Sequence, residues 1–204
     1  LTNQVDLEEF DNLFFLEPEQ EKKQLPLRLP NEFISLCHKE NSLTATQAIN
    51  YLSSRGVTKS DILYWKIGYA LDGFYGDRAI IPSFDINGRL DYFVARSYNR
   101  NKRKYLNPPQ DKDIIFNRLY LDFTEPIVIT EGIFDAIVAN NAVPLLGSTL
   151  KENSLLFQTI IENNTPVYVG LDGDAEKKAE KLIQDLLKYD AEVYKIDVLE
   201  KKDI

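Results

Sequence analysis

The amino-acid sequence predicts an α/β protein: a parallel sheet flanked by helices in its C-terminal part, preceded by a smaller mixed α+β unit. Three observations carry this expectation. From Pro126 onward, short apolar runs alternate with helix-length amphipathic segments, the signature of parallel strands joined by crossover helices. Upstream, two strand-like runs flank Asn87-Gly88, a strong short-range hairpin signal. Two of the later apolar runs end in acidic clusters about forty residues apart, Glu131-Gly132-Ile133-Phe134-Asp135 and Asp172-Gly173-Asp174.

In chain order, residues 1–31 read as an acidic linker or arm. They hold Asp6, Glu8, Glu9, Asp11, Glu17 and Glu19, three prolines and one apolar patch, Leu13-Phe14-Phe15-Leu16. Residues 44–54 read as a helix that Thr44 caps, with Ala48, Tyr51 and Leu52 on one face and Gly56 as its stop. A short helix follows from Lys59 or Ser60 to Lys66. Residues 78–85 form a strand, 86–89 a turn, and 90–97 the return strand. Residues 98–120 are polar and basic. Then come strand 127–130, helix 133–140, strand 143–146, helix 152–163, strand 167–171, helix 175–189 and strand 192–197. This divides the chain into an arm (1–31), a mixed basic unit (32–122) and a parallel-sheet unit (123–204).

Composition narrows the function. At 44% hydrophobic and 27% charged the chain is ordinary for a globular protein. No apolar run approaches the ~20 residues that span a bilayer, and no secretory signal opens the chain. Cys37 is the single cysteine, so neither a disulfide framework nor a structural zinc site is expected. A cytoplasmic setting without membrane contact is expected. A start at Leu1, no methionine, and a stop just after a strand-like run give the expectation of a piece of something longer. His38 is expected at the surface or in a helix, and Trp65 in the core.

The acidic clusters point to a site. In an open parallel sheet, ligands bind beyond the carboxyl ends of the strands. Each cluster alone is compatible with a turn or a strand-to-helix corner. Together, on strands expected to be neighbours, they reach one edge. Two carboxylates ~4 Å apart repel by about 4 kcal/mol at an effective dielectric near 20, which favours either a protonated acid or a bound cation. Magnesium suits such oxygen ligands and keeps waters and substrate phosphates beside them. The net charge is −8, yet the stretch Arg96-Ser97-Tyr98-Asn99-Arg100-Asn101-Lys102-Arg103-Lys104 holds no acid. Such a run reads either as a solvated loop or, beside a metal edge, as a nucleic-acid or phosphate surface.

Glu131-Gly132-x-x-Asp135 followed by Asp172-x-Asp174 resembles the TOPRIM domain shared by DnaG-type primases, topoisomerases and several nucleases. Upstream, Tyr51-Leu52-Ser53-Ser54-Arg55-Gly56, Trp65-Lys66-Ile67-Gly68-Tyr69, Arg78-Ala79-Ile80-Ile81-Pro82, Asn87-Gly88-Arg89 and Phe93-Val94-Ala95-Arg96 are similar to the start of a bacterial or phage primase core. So are Lys104-Tyr105-Leu106-Asn107-Pro108-Pro109, Phe116-Asn117-Arg118-Leu119-Tyr120 and Leu146-Gly147-Ser148. The order is kept over about residues 48–190, with compact, phage-like spacing. The chain departs from the pattern at Glu176, where glycine is usual, and at Asn107-Pro108-Pro109-Gln110, which lacks the usual Ser and Glu.

The resemblance implies a DnaG-type primase catalytic core, with a C-terminally incomplete TOPRIM domain over 123–204. It implies synthesis of short RNA primers on single-stranded DNA from ribonucleoside triphosphates. Asp172, Asp174 and Glu131 would be catalytic and hold Mg2+ or Mn2+, with Glu131 a ligand or the base for the hydroxyl proton, and Asp203 a further ligand. Asp135 would orient the metal site. Arg78, Arg96, Lys102, Arg103, Lys104, Asn107 and Arg118 would bind nucleotide or DNA, with Tyr98 and Tyr105 stacking on bases. Zinc is expected only in a domain outside this chain, and a replicative helicase as partner. The alternatives are a TOPRIM nuclease and a non-catalytic primase-like module that holds DNA or a helicase.

Overall fold

The computed structural model describes residues 26–38, 42–100, 102–111 and 113–196, with Asp174 described through its backbone. The apolar patch 13–16, the rest of the arm up to residue 25, and Asp203 lie outside the described residues.

Two four-stranded sheets organise these residues. The first is antiparallel, in the order β1 (Phe33–Ser35), β2 (Gly68–Ala70), β3 (Arg78–Phe84), β4 (Leu90–Ser97). Helices α1 (Leu43–Ser54) and α2 (Lys59–Tyr64) intervene between β1 and β2. Ser42, rather than Thr44, caps α1: its hydroxyl accepts the Ala45 N–H at 3.0 Å, which leaves Thr44 inside the first turn. Gly56 follows the C-cap Arg55 with φ +84°, the left-handed turn that glycine adopts without strain. Thr58 and Asp61 form a reciprocal capping box on α2.

The β3–β4 connection is longer than a two-residue Asn-Gly turn. The ladder ends at Phe84 opposite Leu90, with a register shift at Ser83/Phe84. The Asp85 carboxylate accepts the N–H groups of Asn87 (2.9 Å) and Arg89 (2.8 Å), and Gly88 carries the positive φ of +75°. An Asx-type bond therefore closes the loop.

The second sheet is parallel, in the order β6 (Ala142–Pro144), β5 (Ile127–Thr130), β7 (Val167–Gly170), β8 (Val193–Lys195). Helices α3 (Ile133–Val138), α4 (Leu155–Glu162) and α5 (Glu176–Leu187) make the crossovers, and a 3-10 turn, Gly173–Ala175, precedes α5. The chain steps from β5 to β6 on one side, then returns to β7 on the other. The strand order thus reverses at β5, and a crevice is expected beyond the carboxyl ends of β5 and β7.

Ile127 and Ile129 of β5 and Val167 and Val169 of β7 are fully buried. Full burial of such a side chain stabilises by about 1.5–3 kcal/mol. On α5, Ala179, Leu182 and Leu186 form the buried stripe. One apolar cluster runs from Leu52, Trp65, Tyr92 and Phe116 through these sheet residues to Leu186, so both sheets share a core. Trp65 lies in it, stacked on Phe116 with ring centroids 6.4 Å apart; His38 is exposed. Among the described residues no helix is long and apolar enough to cross a membrane.

Candidate active site

The acidic edge is built by strand register. Thr130, the last residue of β5, pairs with Gly170, the last of β7. Glu131 and Asp172 follow one and two residues later, so both sit beyond neighbouring strand ends. The Thr130 hydroxyl donates to the Gly132 carbonyl at 3.0 Å, which folds the corner into α3. Gly132 is the N-cap of α3 and Asp135 stands in its first turn. The Asp135 carboxyl lies close over Gly132: a Cβ at position 132 would come within 2.8 Å of its Oδ2. Asp174 lies in the 3-10 turn directly after Asp172.

Burial, followed by the charge of Asp172, holds the Asp135 carboxyl above the usual carboxylate range, although Arg55 draws it down. Glu131 is partly buried. Its Oε1 stands 3.9 Å from Lys178 Nζ, and its buried Oε2 has no hydrogen-bond partner among the described residues. A buried carboxylate oxygen left unpaired is costly in an apoprotein and suits a hard cation that takes oxygen ligands. Among the described residues no three His, Cys, Asp or Glu side chains group closely enough to hold a metal alone. Magnesium commonly uses one or two carboxylates together with substrate phosphates and water, so the donor set present fits it.

Facing this edge is the basic segment. After β4 the chain doubles back. Ser97 N–H donates to the Lys104 carbonyl (3.0 Å), Leu106 N–H to that of Ala95 (3.0 Å), and Arg96 bridges Tyr105 in antiparallel fashion. The Asn107 Oδ1 accepts the Ala95 N–H at 3.2 Å. This return lays residues 103–108 along β4 and across from the acidic strand ends. The two walls enclose a cleft of about 620 Å³, lined by Arg103, Lys104 and Asn107 on one side and Glu131, Gly132 and Asp172 on the other. Tyr92 and Val94 of β4, Tyr105, Leu146 and Gly147 also line it.

The remaining basic residues singled out in the sequence sit elsewhere. Arg96 is buried. Its Nε–H donates to the Tyr51 hydroxyl at 2.7 Å, and its guanidinium lies 4.7 Å from the Tyr105 ring centroid. Lys102 is tied to Asp77 at 3.0 Å and to the Gly76 carbonyl at 3.1 Å. Arg118 donates to the Leu121 carbonyl and lies over the Phe123 ring. Arg78 is 3% exposed; its Nε and Nη1 have no partner among the described residues, and Arg103 adds a like charge. Tyr105 faces the cleft. Tyr98 instead packs on Tyr51, and burial pushes its hydroxyl up to about 12.

Two residues at the edge escaped sequence reasoning. Arg55 lies 5.8 Å from the Phe134 ring centroid and bears electrostatically on Asp135. Lys178 approaches Glu131. A signal for Lys178 was present: a lysine in the first turn of a helix opposes the macrodipole and calls for a compensating partner.

No family model matches the chain. In sequence it is similar to DNA primases. That of Clostridium acetobutylicum is 30% identical over 156 residues, covering 67% of this chain and 25% of that protein. The chain spans about a quarter to a third of the length of the curated relatives it matches. In fold it matches DnaG-type primase cores. The zinc-binding and RNA polymerase domains of Aquifex aeolicus primase superpose with a TM-score of 0.62 at 24% identity, over 80% of this chain and 51% of that one. A DnaG primase catalytic domain bound to single-stranded DNA gives 0.64 at 20% identity, over 80% of this chain and 67% of that one.

Proposed function

With likeness to DnaG-type primases in sequence and fold as the premise, we propose that this chain carries the catalytic core of a primase. It makes short RNA primers on single-stranded DNA by metal-dependent nucleotidyl transfer. The observation that carries the reading is the cleft in which Arg103, Lys104 and Asn107 face Glu131 and Asp172. A cationic wall opposite a carboxylate edge is what a nucleoside triphosphate requires: positive groups for its phosphates, and acids for the cation that accompanies them.

In this reading Asp172, Asp174 and Glu131 hold Mg2+ or Mn2+, with Asp203 as a further ligand. When bound there, the cation would supply Lewis-acid stabilisation of the negative charge that gathers on the reacting phosphate. Glu131 Oε2, without a partner among the described residues, is the oxygen open to the cation; the alternative role for Glu131 is that of base for the proton of the attacking 3′-hydroxyl. Asp135 braces Gly132 and so fixes the corner that presents Glu131. Lys104 and Arg103 bind triphosphate, and Asn107 is held at its Oδ1 so that its amide NH2 can donate to substrate. Arg78, with unmade hydrogen bonds beside Arg103, suits a phosphate oxygen. Arg96 supports the wall through Tyr51 and Tyr105, while Lys102 and Arg118 act on template outside the cleft. Residues 32–122 serve as the template and nucleotide unit, and 123–204 as the TOPRIM unit. Single-stranded DNA, ribonucleoside triphosphates and a replicative helicase are the partners, in a cytoplasmic setting.

The test is primer synthesis on single-stranded DNA with labelled ribonucleotides and Mg2+ or Mn2+. Asp172→Asn is expected to lose product at least about 100-fold while keeping its unfolding midpoint. Equal product from both proteins refutes the assignment, and cleavage of the DNA in place of synthesis replaces it with a nuclease.

A further inference from the structure

We propose that Lys178 is a tethered counter-ion of the acidic edge: it neutralises Glu131 while no divalent cation is bound, and by competing it sets how tightly a cation binds. The inference rests on the reading of Glu131 and Asp172 as cation-binding residues.

Position argues first. Lys178 is the third residue of α5, where the aligned peptide dipoles disfavour positive charge. A lysine held there with only 21% of its side chain exposed needs a local gain to offset that disadvantage. Glu131, itself 29% exposed, supplies it from the end of β5. Both groups are sheltered enough for their attraction to outlast screening by salt.

Geometry argues second. At 3.9 Å the pair attracts electrostatically without forming a close hydrogen bond, and it leaves Glu131 Oε2 buried and unpaired. A partner that completed the site permanently would satisfy the carboxylate. This one leaves a vacant acceptor for a stronger ligand. The lysine stem, four carbons long with freely rotating bonds, lets the ammonium withdraw without any change in α5.

Chemistry argues third. Two carboxylates, Glu131 and Asp172, line this edge of the cleft. A divalent cation can meet both charges, whereas a monovalent ammonium meets one. Entry of the cation therefore displaces Lys178 towards solvent or towards the negative charge of a bound triphosphate.

The experiment is titration of Mn2+ by electron paramagnetic resonance, without nucleotide or DNA, on wild type, Lys178→Met, Lys178→Arg and Asp172→Asn. Removing a unit charge ~4 Å from the ligand is expected to tighten Mn2+ binding by about fivefold or more, the factor for a water-like dielectric. Lys178→Arg keeps the charge and should bind Mn2+ as wild type does. In chelator, Lys178→Met should melt below wild type, and saturating Mn2+ should close the gap. Unchanged Mn2+ affinity in Lys178→Met overturns the counter-ion role, as does equal tightening in Lys178→Arg, which would assign the effect to packing. Mn2+ binding that survives in Asp172→Asn, or is missing from wild type, overturns the cation reading of the edge and the role of Lys178 with it.

Discussion

Replacing Gly132 with alanine isolates the contact that braces the corner below Glu131. Gly132 has φ −109° and ψ 160°, extended backbone that alanine adopts without strain. What alanine meets is Asp135. Its Cβ would lie 2.8 Å from Oδ2, whereas ordinary contact begins at 3.4 Å, so the carboxylate must retreat by the difference, about 0.6 Å. That retreat moves the carboxylate away from the N-terminus of α3, where Asp135 stands in the first turn. Loss of a favourable acid at a helix N-terminus costs ~1 kcal/mol or less. Alanine also stiffens the unfolded chain, worth ~0.4–1 kcal/mol in the opposite direction, so the single variant is a poor reporter. A double-mutant cycle with Asp135→Ala removes that background, because it is common to both arms. Urea unfolding of the four proteins should give a coupling free energy of ~1 kcal/mol between the two positions. Coupling within about 0.3 kcal/mol of zero would show that Asp135 does not brace Gly132.

Three further outcomes are expected. Gly68→Ala should destabilise by ~3 kcal/mol or more, read by urea unfolding, because its Cβ would overlap the Phe33 ring and the Ile34 carbonyl oxygen and force β1 off β2; a loss below ~1 kcal/mol would contradict that packing. Burial and then Asp172 raise the Asp135 carboxyl, so its contribution to stability is complete below the unfolded value near 4 and is lost as pH rises through the native value. Asp135→Asn should therefore gain on wild type as pH increases from about 4 to 7, and a constant difference across that range would refute the assignment. Lys104→Ala should weaken single-stranded DNA binding and lower its log–log salt slope by about 0.7 per lost phosphate contact; an unchanged slope would remove Lys104 from the phosphate-binding wall.

Much of this fold was legible because its signals are local. Strands 90–97 and 127–130 carry apolar runs whose bounds the structure reproduces, and Gly56 stops α1 by its own conformational freedom. The strands β1 and β2 were not legible. Each has three residues, too few for alternation to register, and their pairing with β3 is decided far along the chain. Gly68 carries the trace of that pairing, since only a residue without Cβ lets Phe33 and the Ile34 carbonyl so close. In the site, Glu131 and Asp172 were placed by strand ends and neighbouring strands. Which basic residues face them was not readable, because composition fixes the charge of residues 96–104 and the return path along β4 fixes its direction. Lys102 turned to Asp77 and Arg96 to Tyr51, while Arg103 and Lys104 lie against the cleft.

The apolar core common to both sheets has a mechanical consequence. Tyr92 and Phe116 pack in the same cluster as Ile129 and Ile133, and Tyr92 and Ile133 themselves line the cleft. Prising the walls apart would expose that cluster to water, a cost that opposes hinging one sheet from the other. The return segment after β4 is fastened to the strand by bonds at Ala95 and Ser97. One wall of the slot thus belongs to the core, and the other to a segment laid along the edge of β4.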